Sequence, residues 1–240
     1  AEAVWVTHGC GVAKAMAEWI VDGHPTLAVH ECDVNRFEKH QLGAQHIEER
    51  GAQNFVEVYD LLHPLQPMES PRPIRTTGFY PRQQELGGFF LEAAGFERPQ
   101  WYAANAGLLE KYGSPARDAW TSQFWSPIIG AEARAVREGV GLFDITTLKR
   151  IEVSGKGALE FLEQLTTGNL RKKNGSITYC LLLNESAGIM SDITVMRRSE
   201  RDFFVCVNSN TDIHYLKQLA PETVHVQDIT AGTVALGLFG

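Results

Sequence analysis

His8-Gly9-Cys10-Gly11 is the first place in the chain where residue types and spacing suggest chemistry. It follows an apolar run, Ala3-Val4-Trp5-Val6-Thr7, and precedes a helix-spaced run that starts at Val12. A strand, a glycine-containing turn and a helix in that order leave free backbone N–H groups at the positive end of a helix dipole. Such a turn suits an anionic or electron-rich ligand. A Gly-x-Gly pair is equally compatible with a plain β–α turn. His8, whose ordinary pKa is about 6.5, is also compatible with a polar residue that bonds the turn backbone. Lys14 could touch a phosphate or carboxylate, or simply lie in solvent. The four cysteines, Cys10, Cys32, Cys180 and Cys206, are far apart and form no CxxC pair. No metal site and no disulfide framework is expected from them, and a reduced, cytoplasmic setting is the default.

The elements that must position these residues fall into three stretches. In residues 1–59, Ala3–Thr7 reads as a buried strand. Val12, Ala15, Met16, Trp19 and Ile20 then fall at helical spacing, and Gly23 and Pro25 end that helix. Glu31–Phe37 has loop character, and residues 42–60 are expected to be helical. Residues 60–118 hold Pro64, Pro67, Pro71, Pro73, Pro81, Pro99 and Pro115, which forbid long helices apart from a short one near 82–94. The aromatic residues there supply core, so this stretch reads as a compact connector rather than disorder.

Residues 119–240 read as α+β. A helix is expected over 127–139, ended by Gly139 and Gly141. A strand follows at 149–154, then a helix at 156–165 with Ser154 as a possible cap. Strands at 176–184 and 191–198 are joined by Asn184-Glu185-Ser186-Ala187-Gly188, a link of hairpin length. A strand at 203–208, a helix at 210–219 and strands near 223–228 and 233–239 complete the pattern. Both ends read as cut inside buried strands, where unpaired backbone groups are costly, so a fragment is expected.

Bulk composition excludes some classes. With 22 basic and 29 acidic residues the formal charge is −7. That argues against nucleic acid or an anionic membrane as main partner. No apolar run reaches the roughly 18–20 residues needed to span a bilayer. An apolar fraction of 44% and a charged fraction of 21% are ordinary for a globular protein.

Three blocks resemble one family, the flavin-dependent dimethylglycine oxidases with the sarcosine and dimethylglycine dehydrogenases. VWVTHGCGVAKAMAEWIVDG is similar to the last strand and helix of their flavin domain, and ECDVNRF to the segment after it. YDLLHPLQP and SPRPIRTTGFYPRQQELGGFFLEAAGFERPQWY are similar to their middle region. From about residue 119 the chain resembles the aminomethyltransferase of the glycine cleavage system. The carriers are GLFDITTLKRIEVSGKGALEFLEQLTT, ITYCLLLNESAGIMSDITVMR and FFVCVNSNTD. The implied architecture is a β–α remnant of a flavin domain at 1–59, a connector at 60–118 and the first part of a folate-binding α+β domain at 119–240.

The resemblance also implies site residues. Tyr179, Asp192 and Asn208 occupy positions that the aminomethyltransferase family uses to bind folate, with Asp192 as the catalytic carboxylate. Many members carry two acids at the start of that strand, whereas here the pair is Ser191-Asp192. Read alone, Asp192 suits a local hairpin bond, Tyr179 a packed aromatic and Asn208 a turn residue. At the other end, His8, Gly9, Cys10, Gly11 and Val12 would sit near FAD, with N–H groups over the part of the ring that gains negative charge on reduction.

The implied reaction oxidises an N-methyl group of dimethylglycine or sarcosine to an iminium. Tetrahydrofolate then captures the carbon as 5,10-methylenetetrahydrofolate; water would yield formaldehyde instead. The expected partners are the methylamine substrate, the folate and the rest of a parent chain. The stretch alone is expected to be inactive and to retain no flavin. An aminomethyltransferase without oxidase activity and a non-catalytic binding module are the competing readings.

Overall fold

In the computed structural model, residues 6–240 are described. The chain divides into two compact units, Ala1–Arg36 and Phe37–Gly240.

In the first unit a single helix, α1, spans Val6–Asp22. This corrects the strand–turn–helix reading. Residues 3–5 lie outside the described residues, but Val6 and Thr7 are helical, and His8, Gly9, Cys10, Gly11 and Val12 continue the same helix. No strand lies among residues 6–36. An extended segment would therefore lack a described partner, whereas a helix satisfies its own backbone. The helix tolerates Gly9 and Gly11 although each costs about 1 kcal/mol relative to Ala. Gly23, with φ +80°, follows α1 as expected of a helix-ending glycine. Glu18 then fixes the turn, because its Oε2 accepts the Thr26 N–H at 2.8 Å and the Thr26 hydroxyl at 2.9 Å.

The first unit ends in two short 3-10 turns, and the second begins with one, Lys39–Leu42, followed by helix α2, Ala44–Glu57. Helix α3, Tyr80–Glu85, is followed by strands β1, Gly88–Ala93, and β2, Phe96–Tyr102. The expected helix near 82–94 therefore stops at Glu85, and its second half is a strand. The Gly87-Gly88 pair breaks the helix, and Phe89 finds a stacked partner in Trp101 with ring centroids 5.4 Å apart. Ala94 and Gly95, at φ 53° and 83°, close the two-residue turn, as a tight hairpin requires. Helices α4, Leu108–Tyr112, and α5, Ile128–Glu138, come next, the second within a residue of expectation.

The remaining elements are β3, Gly141–Asp144; β4, Lys149–Gly155; α6, Ala158–Leu165; β5, Ile177–Leu183; β6, Ile189–Arg197; β7, Asp202–Val207; α7, Asn210–Leu219; β8, Val224–Asp228; and β9, Leu236–Phe239. Five of these strands form an antiparallel sheet in the order β5-β6-β7-β4-β8, while β3 pairs with β9. The mixed helix-and-sheet class agrees with expectation. The Ser154 cap does not: the residue before α6 is Gly157 at φ 92°, with no side-chain cap.

Strand alternation gives the sheet two faces. Ile151, Val153, Cys180, Leu182, Ile193, Val195, Phe203, Val205 and Val207 point inward and pack on Leu162 of α6 and Ile213 and Leu216 of α7. Ser191 shares this inward parity, while Tyr179, Asp192, Thr194, Met196 and Phe204 share the other face. No described helix is long and apolar enough to cross a membrane.

Candidate functional site on the outward sheet face

Tyr179, Asp192 and Asn208 come together. Leu181 lies opposite Asp192 in the β5–β6 pairing, and Tyr179 lies opposite Thr194. Tyr179 and Asp192 are therefore diagonal neighbours on one face. The Tyr179 hydroxyl donates to Asp192 Oδ2 at 3.3 Å. Asn208 closes β7 and brings its Nδ2 to Asp192 Oδ1 at 3.0 Å and to the Asp192 carbonyl at 2.8 Å. All three residues are exposed. The negative charge of Asp192, together with desolvation and the hydrogen bond to it, pushes the Tyr179 phenol above its ordinary range. The phenol thus stays a donor, and the Asp192 carboxylate keeps lone pairs for a cationic or N–H-bearing ligand.

Two residues behind this trio were not read as site residues from the sequence. Ser191 Oγ accepts from Asn208 Nδ2 at 2.9 Å and donates to Asp212 Oδ2 at 3.0 Å. Asp212 Oδ2 also accepts the backbone N–H groups of Asn208 and Ser209, at 2.9 and 3.2 Å. Ser209 caps α7, and Asp212 completes the capping box. The Ser209-x-x-Asp212 spacing was a usable signal for that box. Nothing in the sequence signals the cross-strand link from Asp212 to Ser191.

Neighbouring segments frame the site. Asn210 Nδ2 donates to the Phe37 carbonyl at 3.2 Å. Glu38, the next residue, is ion-paired with buried Lys149 of β4 and with Arg75 at 3.4 Å. Further along the outward face, Met196, Phe204, Glu152, Arg198, Gln227 and Thr233 line an open groove of about 550 Å³, a size suited to a small organic ligand. Cys206 is half-buried, and desolvation pushes its thiol up against the opposing effect of Arg150, which disfavours the nucleophilic thiolate.

Residues 79–240 match the family described as the GCVT N-terminal domain, two thirds of the chain. The chain belongs to this family. Residues 22–77 match the FAD dependent oxidoreductase central domain. The two matches stand in the order that the resemblance implied. Among curated relatives, 4-methylaminobutanoate oxidase (formaldehyde-forming) of Paenarthrobacter nicotinovorans is 33% identical over 96% of this chain and 28% of its own length. The mitochondrial pyruvate dehydrogenase phosphatase regulatory subunit of Mus musculus is 29% identical over 97% of this chain and 27% of its own. Human mitochondrial dimethylglycine dehydrogenase is 24% identical over 98% and 27%. The chain thus spans little more than a quarter of the length of these relatives. The crystal structure of glycine cleavage system aminomethyltransferase T from Bartonella henselae superposes with a TM-score of 0.53 at 28% identity, covering 70% of this chain and 41% of that one.

The expected flavin contacts fare differently. Cys10, Gly11 and Val12 lie beyond the first turn of α1, where N–H groups bond within the helix. The donors that the turn reading assigned to them are thereby removed. A Cβ added at Gly9 or Gly11 would meet nothing within 4 Å. The described residues of the first unit form no flavin cradle of their own.

Proposed function

We propose that the outward face around Asp192 binds a reduced folate and passes it a one-carbon unit, as part of a flavin-dependent oxidoreductase acting on an N-methylated amino acid. The observation that carries this reading is the convergence of Tyr179, Asp192 and Asn208 on one face at hydrogen-bonding distance. Membership in the GCVT N-terminal domain family and the match of residues 22–77 to an FAD dependent oxidoreductase central domain support it. Dimethylglycine and sarcosine are the substrates we favour, with FAD as oxidant. The name of one relative matches dimethylglycine, and that of another, 4-methylaminobutanoate oxidase, extends the class to a further N-methylated amino acid. Within the chain, residues 119–240 would carry the folate chemistry, 60–118 the connection and 1–59 a remnant of the flavin domain. His8, Gly9, Cys10, Gly11 and Val12 remain candidate flavin neighbours on α1, by proximity and not through free N–H donors at residues 10–12.

A bound reduced folate supplies nitrogens that attack an electrophilic carbon. Asp192 would accept the proton that such a nitrogen loses, or hold the positive charge of the carbon it attacks. Tyr179 would donate to Asp192 or present its ring to the ligand. Asn208 would bond the ligand while holding the Asp192 backbone. The alternative of an aminomethyltransferase without oxidase activity draws on the superposition with the Bartonella henselae enzyme, but leaves the match of residues 22–77 without a role.

Calorimetric titration of the chain with 5-formyltetrahydrofolate tests the reading. Wild type is expected to bind and Asp192→Ala to bind at least tenfold more weakly. Equal binding by the two proteins removes Asp192 from the site, and no binding by wild type removes the folate.

A further inference from the structure

Ser191, Asn208, Ser209 and Asp212 form a chain of donors and acceptors with one consistent proton arrangement. Asp212 is buried, and its Oδ2 accepts backbone N–H groups from both Asn208 and Ser209. An oxygen already taking two N–H donors is an acceptor. Ser191 must therefore spend its one proton on Asp212, across 3.0 Å. That leaves only lone pairs on Ser191 Oγ, so the Asn208 atom 2.9 Å away must be the amide nitrogen. The same nitrogen faces two further acceptors, the Asp192 carbonyl and Oδ1, at 2.8 and 3.0 Å. Its two protons are shared among these three acceptors on β6. Asn208 Oδ1 has no hydrogen-bond partner among the described residues, and Asn208 is exposed.

We propose that Asp212, acting through Ser191, is a positioning residue that locks the Asn208 amide with its carbonyl outward. The site then selects a ligand that presents an N–H or amino group beside the Asp192 carboxylate. This rests on the reading of the face as a reduced-folate site and adds which atoms of the ligand it recognises. A ring amide N–H or an exocyclic amine fits. A ligand carbonyl at that position would face Asn208 Oδ1 and the carboxylate, lone pair against lone pair. The capping box accounts for the Asp212–Ser209 contacts. It leaves unexplained why a strand residue, Ser191, is aligned between the cap and the Asn208 side chain.

The test uses Ser191, because replacing Asp212 would also break the capping box of α7. In the 15N-labelled chain, the Asn208 side-chain NH2 signal is assigned by its loss in Asn208→Asp. Slow hydrogen exchange is expected for it in wild type and in Ser191→Thr, with exchange at least tenfold faster in Ser191→Ala. In parallel, 5-formyltetrahydrofolate should bind Ser191→Ala about tenfold more weakly than wild type, and Ser191→Thr within a factor of two, with melting temperatures unchanged. Unchanged amide exchange in Ser191→Ala overturns the lock. Faster exchange with undiminished binding overturns the selection of a donor. If wild type binds no folate while the exchange pattern holds, the lock stands and the folate reading falls.

Discussion

Asp192 Oδ2 lies 3.3 Å from the Tyr179 hydroxyl across the β5–β6 pair, so the charge of one residue sets the protonation of the other. Because Asp192 holds the phenol above its ordinary range, removing the charge must bring it back down. Asp192→Asn is expected to shift one tyrosine of the alkaline ultraviolet titration to lower pH, relative to wild type. The Tyr179→Phe protein should lack that component altogether. An unchanged titration would separate Tyr179 from Asp192 in solution.

The same substitution has a chemical consequence under the proposed function. Asn keeps the shape of Asp192 but can neither take a proton nor balance a cation. In an oxidoreductase of the proposed kind that contains this chain, Asp192→Asn is expected to lower folate-dependent capture of the one-carbon unit by about 10²–10⁴-fold while substrate oxidation continues. Formaldehyde should accumulate with tetrahydrofolate present. Capture at the wild-type rate contradicts the assignment.

Much of this face was legible in the sequence, and for a physical reason. Alternation over 176–184 and 191–198, with a five-residue link, specifies a hairpin, and a hairpin places Tyr179 near Asp192. The link is fixed locally: Asn184 Oδ1 accepts the Ser186 and Gly188 N–H groups at 3.1 and 2.7 Å. The resemblance then singled out the three residues that meet. Ser191 and Asp212 stayed hidden because their bond joins residues far apart in sequence, and no local pattern encodes it. The His8–Gly11 turn failed for the opposite reason. Two glycines look like a turn, but a helix needs no neighbour to satisfy its backbone. The strand after Glu85 was missed because Phe89 and Phe90 are apolar in either element, and the Trp101 partner that favours a strand lies twelve residues away.

Asp144, the last residue of β3, ties Thr77 and Gln83 to the β3–β9 pair. Its Oδ2 accepts from Thr77 at 2.6 Å and from Gln83 at 3.0 Å, and its Oδ1 accepts the Thr146 N–H at 3.0 Å. Burial pushes this carboxyl up, but the donors outweigh it, and it titrates below its ordinary value. A depressed carboxyl contributes stability above the unfolded pKa of about 3.9, and loses it as pH falls through the folded value. Asp144→Asn is expected to cost about 1–3 kcal/mol at neutral pH. Its stability should also fall less steeply than that of wild type between about pH 5 and 2. Urea melts over that range check both, and parallel curves would dissociate Asp144 from the acid limb.

Arg72 and Glu97 form a nearly buried pair, with 16% and 2% of their side chains exposed and a closest approach of 2.5 Å. The guanidinium also donates to the Met68 and Phe90 carbonyls, at 2.9 and 3.0 Å. Glu97→Ala would strand that cation away from water, at a cost of about 3–5 kcal/mol. Combining it with Arg72→Met removes the stranded charge, so the double variant should be more stable than Glu97→Ala alone. Chemical denaturation of the three proteins decides the point, and simple additivity would mean that the charges do not interact.

Gly95 serves the hairpin twice. It holds φ +83° in the β1–β2 turn, and an added Cβ would run into the His40 ring. Its N–H is also used, donating to Glu92 Oε1, and its carbonyl accepts the Arg75 N–H at 2.9 Å. Arg75 in turn reaches Glu38, and Glu38 reaches Lys149 in the sheet, so displacement of His40 would strain the segment that frames the candidate site. Gly95→Ala carries a left-handed backbone cost of about 1–2 kcal/mol before any clash is counted. It is therefore expected to lower the melting temperature and, by moving residues 37–40, to weaken 5-formyltetrahydrofolate binding as well. Replacing His40 by Ala in the Gly95→Ala background removes the clash but not the strained φ, and should recover part of the lost stability. A melting temperature unaffected by Gly95→Ala would show that the turn relaxes freely and that His40 does not pack against it.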